Sequence, residues 1–119
     1  ESLKIPQLHS KYYTLYNTIT LMREKARTTQ NEVSLERYRY YTGKAPAEVY
    51  AEEPFPYKIR EKEALQKYME ADERLTKITL KVKYYDTTLK FLEEIIRAVS
   101  NRTYQIKNAI EWNRFQAGM

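Results

Sequence analysis

The chain has 119 residues, no cysteine, and 21 Lys and Arg against 16 Asp and Glu, which gives a net charge of +5. This length suits one domain, and the absence of cysteine excludes a disulfide framework and a thiolate metal site. No apolar run approaches the roughly 18 residues of a membrane-spanning helix. Because the sequence begins with Glu1 rather than Met, we expect that a preceding segment is missing.

The charge is distributed unevenly along the chain. Residues 1–44 hold 8 Lys and Arg against 4 acids, residues 45–73 hold 4 against 8, and residues 74–119 hold 9 against 4. Two basic arms therefore flank an acidic segment. A clustered basic surface indicates an anionic partner, most often nucleic acid, although Lys and Arg are also good, solubilising helix formers.

The first predicted element is a long helix over residues 7–42. Pro6 suits its first turn, and Gly43 is a natural stop. Apolar residues step alternately by three and four along this helix, which places them on one face. This first ladder consists of Leu8, Tyr12, Leu15, Ile19, Met22, Ala26 and Val33, with a polar position at Thr29.

The segment that follows, residues 43–57, contains three prolines and is predicted to be an acidic connector without regular helix. A short amphipathic helix is predicted over residues 57–69. Asp72 is a good N-cap for a second long helix over residues 73–116. The polar residues at 101–103 could kink this helix, but its apolar pattern keeps phase through them.

The C-terminal helix carries two apolar stripes. The second ladder consists of Leu75, Ile78, Val82, Tyr85, Leu89, Leu92, Ile96, Val99, Thr103, Ile106 and Ile110. Beside it run Leu80, Tyr84, Thr87, Phe91, Ile95 and Ala98. A helix that is apolar on two faces is normally covered by neighbours on both. Rods of roughly 40–55 Å are also too long for a globule with a radius of gyration of about 13–14 Å. We therefore predict an all-α fold: an elongated helical hairpin of two long helices plus a short connector helix, assembled into a homo-oligomer.

A polar and basic stripe follows the first long helix, about 100° round from its apolar ladder, and is predicted to face solvent. The stripe comprises Arg23, Arg27, Gln30, Ser34, Arg37, Tyr41 and Lys44. Arginines bridge phosphates through forked donors, and tyrosine rings offer platforms for unstacked bases, which favours a single strand over duplex DNA. The candidate DNA-binding residues are Arg37, Arg39, Tyr41, Lys44, Arg23 and Arg27. A helix end with dipole-favoured cations and packed tyrosines stays open as the alternative interpretation.

No residue pattern predicts catalysis, a metal site or a cofactor. His9 is the only histidine, and Gly43-Lys44-Ala45 lacks the upstream glycine and the Ser/Thr of a phosphate-binding loop. We therefore expect a protein that is not an enzyme. Two other classes stay open: a coiled-coil structural or chaperone-like adaptor that binds protein partners only, and an architectural protein that binds duplex DNA.

Two segments of the chain carry a resemblance to a known family. One is the turn Arg37-Tyr38-Arg39-Tyr40-Tyr41-Thr42-Gly43. The other is the tail Arg102-Thr103-Tyr104-Gln105-Ile106-Lys107-Asn108-Ala109-Ile110, followed by Arg114-Phe115-Gln116-Ala117-Gly118. Both segments resemble the UvsY recombination mediator proteins of T-even-type phages, and the similarity extends weakly over residues 8–118.

This resemblance implies a small all-helical protein that forms a closed homo-oligomeric ring and binds single-stranded DNA. Such a protein helps load a RecA-like phage recombinase onto DNA covered by the phage single-strand-binding protein. It acts in the cytoplasm of an infected bacterial cell and does not associate with a membrane. The family's DNA contact falls on Arg37. This chain departs from the family at Leu35, where a relative has a basic residue, and at Arg39, where it has an acid, so we expect the basic pair to have shifted to 37/39.

The resemblance also implies that the tail serves assembly of the oligomer. The tail residues Tyr104, Ile106, Ile110 and Phe115 are therefore predicted to contact a neighbouring protomer. The second apolar stripe of the same helix adds Phe91 and Ile95 to the predicted oligomerisation residues.

Overall fold

The computed structural model describes the backbone of residues 4–117 and the side chains of residues 6–117. Its four α-helices are α1 (Lys4–Tyr41), α2 (Ala47–Glu52), α3 (Lys62–Ala71) and α4 (Glu73–Gln116). The described residues contain no strand, so the predicted all-α class is confirmed. The chain divides into two compact units: a first unit of Glu1–Met22 with Tyr85–Met119, and a second unit of Arg23–Tyr84. The single-domain organisation and the assembly of subunits stay predictions.

Helix α1 ends in a turn built on Gly43. The N–H of Gly43 donates to the carbonyl of Tyr40 at 3.3 Å, and the N–H of Lys44 donates to the carbonyl of Arg39 at 2.8 Å. This pair of bonds is a Schellman cap, which requires a left-handed residue, and Gly43 has a φ of 79°. A Cβ on Gly43 would lie 2.8 Å from Cγ of Lys58. Glycine at this position therefore both ends the helix and leaves room for the lysine stem.

The connector between α1 and α3 differs from the prediction because it contains the short helix α2. Pro46, with a φ of −58°, precedes this helix, and Pro54 comes only after its end, so neither ring interrupts it. Residues 54–61 have no regular secondary structure. The N–H of Ile59 donates to the carbonyl of Tyr41 at 3.0 Å, which ties this stretch to the end of α1. Helix α3 consequently begins several residues later than predicted.

Helix α4 begins directly after Asp72. The Oδ1 atom of Asp72 accepts the backbone N–H of Leu75 at 2.9 Å, which is the N-cap bond that the sequence predicts. The helix continues through residues 101–103 as one element. Thr103 does not disturb it, since its hydroxyl donates to the carbonyl of Val99 one turn earlier at 3.0 Å.

In the second unit, α1 and α4 run antiparallel. Gln30 Nε2 donates to Thr79 Oγ1 at 3.1 Å, and Arg37 Nε donates to Asp72 Oδ2 at 2.6 Å. Residue numbers therefore increase along α1 in the direction in which they decrease along α4. The buried apolar side chains of this unit are Ala26, Tyr40, Tyr41 and Val82. Half of this core is tyrosine, which explains why polar groups are buried beside it.

The inner face of α1 is rotated from the predicted first ladder. Four ladder residues are buried or half-buried as predicted: Tyr12, Ile19, Ala26 and Val33. The prediction was wrong for three others, which are exposed: Leu8, Leu15 and Met22. The polar position Thr29 is exposed as well. The positions inside are instead taken by residues spaced seven apart: Tyr16, Arg23, Gln30 and Arg37. Part of the basic stripe predicted to face solvent therefore faces inward.

In the first unit, Tyr85 and Leu92 of α4 are buried. The hydroxyl of Tyr16 donates to Glu93 Oε1 at 3.0 Å, which raises the pKa of the tyrosine. From residue 100 to 117, the side chains of α4 are exposed, except for the half-buried Ile106. Within the described residues, no helix combines the length and apolar character that crossing a membrane requires.

Candidate nucleic-acid interface

Arg37, the predicted centre of the DNA contact, lies in a buried polar cluster. The Oδ2 atom of Asp72 accepts Arg37 Nε at 2.6 Å and the hydroxyl of Tyr41 at 2.6 Å. The side chains of Arg37 and Asp72 are 5% and 3% exposed. Arg37 Nη1 also lies 3.7 Å from Glu53 Oε2 at the margin of the cluster. Asp72 thus joins two helices, since it caps α4 with one oxygen and holds α1 with the other.

Hydrogen bonding fixes the charges of this cluster. Burial alone would raise the pKa of the Asp72 carboxyl, but the bonds from Tyr41, Leu75 and Arg37 outweigh burial and lower that pKa. Burial alone would lower the pKa of the Arg37 guanidinium, but its bonds to Tyr41 and Asp72 raise it. Burial and the bond to Asp72 raise the pKa of the Tyr41 hydroxyl. At neutral pH the cluster is therefore a carboxylate–guanidinium pair with a neutral phenol as a further donor.

An aromatic cluster surrounds this ion pair. The ring of Tyr40 lies 5.2 Å from that of Tyr41, 5.5 Å from that of Tyr50 and 5.3 Å from that of Phe55. The guanidinium carbon of Arg37 lies 4.3 Å from the centroid of the Tyr40 ring. Such an arrangement stabilises a buried cation through the ring faces. Tyr40 and Tyr41 are therefore buried against protein and are not exposed to a base.

The structure divides the six predicted DNA-binding residues into buried, half-buried and exposed positions. Arg37 and Tyr41 are buried, so their predicted solvent exposure was wrong, because the inner face of α1 is rotated from the apolar ladder. Arg23 is half-buried and lies 3.4 Å from Glu24. The exposed members are Arg27, Arg39 and Lys44. Arg39 and Lys44 lie together at the end of α1, whereas Arg27 lies about 18 Å further back along the helix. DNA binding by any of the six residues stays a prediction.

Sequence reasoning missed residues that the connector brings to the end of α1. Lys58 and Arg60 are exposed and, with Tyr38 and Lys44, line a cleft of about 460 Å³. We call this cleft the turn cleft. Because the net charge of residues 45–73 is negative, these two cations were not considered as DNA-binding candidates. Their spacing could have revealed them. Residues at i and i+2 lie on the same side of an extended chain, and Lys58 and Arg60 have this spacing in a proline-containing stretch.

The predicted oligomerisation residues are mostly exposed in the single chain. Phe91, Tyr104, Ile110 and Phe115 are all exposed, Phe115 by 70%. The remaining two, Ile95 and Ile106, are half-buried. The described residues include no group of three His, Cys, Asp or Glu side chains that could hold a metal ion.

Comparison with known proteins gives one informative result. A family model described as "Recombination, repair and ssDNA binding protein UvsY" matches residues 1–119, which is the whole chain. Searches among curated proteins and among solved structures gave no match.

Proposed function

Since the chain belongs to the UvsY family of recombination, repair and single-stranded-DNA-binding proteins, we propose that it is a recombination mediator. It binds single-stranded DNA and helps load a RecA-like phage recombinase onto DNA covered by the phage single-strand-binding protein. It works in the cytoplasm of an infected bacterial cell and catalyses no reaction itself.

The observation that carries this proposal is the set of exposed cations at the end of α1. Arg39, Lys44, Lys58 and Arg60 are exposed, and within the described residues none lies within 4.0 Å of a carboxylate. In contrast, the buried Arg37 of the same turn is fully paired. Cations that the protein does not neutralise are available to phosphates, and this supports binding to a nucleic-acid backbone.

We propose further that the working form is a homo-oligomeric ring. The exposed apolar side chains of α4 support this proposal, because a single chain leaves Phe91, Tyr104, Ile110 and Phe115 in water. Exposed large apolar and aromatic side chains are enriched at protein interfaces. Contact between protomers through α4 covers these side chains and repeats the basic end of α1 once in every copy.

Repetition explains how a small site can hold a strand. One protomer offers only a few phosphate contacts, so its own affinity is low. Several copies on one strand raise the overall affinity by about 10²–10⁴ without any new type of contact. Such binding has no sequence preference, which suits a protein that must prepare any strand for a recombinase.

The proposal is tested by fluorescence anisotropy with labelled single- and double-stranded oligonucleotides, combined with absolute mass by light scattering. We expect a multiple of the protomer mass, a preference for the single strand, and an affinity that falls with salt by about 0.7 in log–log slope per phosphate contacted. Absence of DNA binding would instead favour an adaptor that binds protein partners only. A preference for duplex DNA would favour an architectural protein. Stimulation of the recombinase's DNA-dependent ATPase on protein-covered strand tests the loading step.

A further inference from the structure

The turn cleft is built from two segments of the chain that lie far apart in sequence. Tyr38 and Lys44 come from the end of α1, and Lys58 and Arg60 come from the connector. The hydrogen bond from Ile59 N–H to the carbonyl at the end of α1 holds the connector in place between its two cations. Because Gly43 has no Cβ, the stem of Lys58 can lie directly over the turn. The backbone structure of the turn and the connector therefore determines where these cations lie.

The cations that line the turn cleft have no acidic partner in the part of the chain that the structure describes. Among the described residues, Lys44, Lys58 and Arg60 have no carboxylate within 4.0 Å. The dipole of α1 favours a cation such as Lys44 at its C-terminus, but the cap bonds already satisfy two terminal carbonyls. The dipole therefore does not explain why two more cations from the connector line the same cleft. An anionic ligand does explain it.

Tyr38 differs from the other tyrosines of the turn. Its side chain is 41% exposed, and among the described residues its ring contacts no other aromatic ring, whereas Tyr40 and Tyr41 each contact at least three. Lys44 Nζ lies 5.9 Å from the centroid of the Tyr38 ring. A flexible lysine at that distance can turn away to a phosphate and leave the ring face to a base.

A second cleft continues from the first. Its volume is about 550 Å³, and it shares Tyr38, Arg60 and Leu65 with the turn cleft while adding Lys62. The exposed ring of Tyr38 thus stands where the two clefts meet, with cations on both sides. Alternation of an aromatic platform with backbone-binding cations is the arrangement that proteins use for single strands. An acidic peptide would use the cations but would have no need of the exposed ring between them.

From this geometry we infer that Tyr38, Lys44, Lys58 and Arg60 form a nucleotide subsite of each protomer. The ring of Tyr38 stacks on one base of a single strand, and the three cations hold the phosphates on either side of that base. This inference rests on the proposed function, and it places the contact on the outer side of the turn rather than on the buried Arg37.

The test compares Tyr38→Leu with Tyr38→Phe in the full chain, using a short labelled oligothymidylate to limit binding across several protomers. Loss of one stacked base predicts roughly 5- to 150-fold weaker binding for Tyr38→Leu. Tyr38→Phe keeps the ring and should bind like the wild type. The matched control is Tyr13→Leu, which alters an exposed tyrosine of the first unit and should leave affinity unchanged.

The cations are tested by salt dependence rather than by affinity alone. Lys58→Ala and Arg60→Ala should each reduce the log–log salt slope by about 0.7 per phosphate lost, whereas Lys67→Ala on α3, exposed outside both clefts, should not. Circular dichroism and light scattering serve as controls that each variant keeps its fold and mass.

The failures of the two proposals are distinguishable. If the wild type binds no oligonucleotide, the proposed function fails before any variant is made. If the wild type binds but Tyr38→Leu binds equally well with an unchanged salt slope in Lys58→Ala, the subsite is overturned and the cleft belongs to an acidic protein partner. Equal weakening by Tyr38→Phe and Tyr38→Leu would also overturn it, because the hydroxyl and not the ring face would then be responsible.

Discussion

The two sides of the last turn of α1 carry the same residue types in opposite roles. The inner side consists of Arg37, Tyr40 and Tyr41, which are buried and bonded to protein. The outer side consists of Tyr38 and Arg39, which are exposed. One step along the helix separates a structural arginine–tyrosine pair from one available to a ligand. Arginine and tyrosine therefore indicate a nucleic-acid contact only after the helix face is known.

The largest expected effect comes from the inner side. Arg37→Ala leaves the buried carboxylate of Asp72 without its cation, and breaking a buried pair in this way costs about 3–5 kcal/mol of folding free energy. Urea denaturation followed by circular dichroism at a fixed protomer concentration measures this loss. The outer-side control, Arg39→Ala, should change stability by less than about 0.5 kcal/mol.

The opposite result would show that the inner and outer sides do not have separate roles. If Arg37→Ala kept full stability and mass but lost affinity for single-stranded DNA, Arg37 would be a ligand contact, as the family resemblance implies, and the inner cluster would have to open on binding. If Arg39→Ala were as destabilising as Arg37→Ala, the outer side would also be structural.

The sequence predicted the face of α4 better than that of α1. In α4, the ladder from Leu75 to Val99 is apolar at every position, and these residues are buried or half-buried. In α1, at least one of the two inward positions of each seven-residue repeat is polar or tyrosine. The apolar Leu15 and Met22 come one place before the inward Tyr16 and Arg23, so the apolar pattern indicated the wrong residue at these two levels.

Polar residues on the inner face are readable only when their partners are known. Tyr16 bonds to Glu93, Gln30 to Thr79 and Arg37 to Asp72, and each partner lies on α4 or at its N-cap. Sequence periodicity assigns polar residues to solvent because an unpaired polar group is costly to bury. Periodicity within one helix carries no information about a hydrogen-bonding partner that a second helix supplies at the same level. The helix ends, by contrast, were predictable, because Gly43 and Asp72 act through their own backbone neighbours.

Asp72 provides the next test, because it belongs only to the inner side. Asp72→Asn removes the charged acceptor of Arg37 and should cost about 1.5–3 kcal/mol at neutral pH. Since folding lowers the pKa of Asp72, its charge contributes stability that is fully present above the ordinary aspartate pKa of about 3.9 and is lost as pH falls through the lower folded value. The difference between wild type and Asp72→Asn should therefore be constant above about pH 5 and shrink below about pH 4.

Urea midpoints measured for both proteins from pH 7 to pH 2 test this linkage. A stability difference that stays constant down to pH 2 would show that the carboxylate charge does not hold the inner side together. Binding of single-stranded DNA at neutral pH should be retained by the folded fraction of Asp72→Asn, since the outer side is unchanged.

The smallest expected effect links the two sides through Gly43. Gly43→Ala places a side chain at a positive φ, which costs about 1–2 kcal/mol, and its Cβ would also lie 2.8 Å from Cγ of Lys58. In a Lys58→Ala background the crowding disappears and only the backbone strain remains, so a double-mutant cycle should give a coupling energy of about 0.5 kcal/mol or more. Gly43→Ala alone should also weaken binding to a single strand, because the lysine must leave the turn cleft. Equal cost in both backgrounds, together with unchanged binding, would mean that Lys58 is not held over the turn and that the inner structure does not position the outer cations.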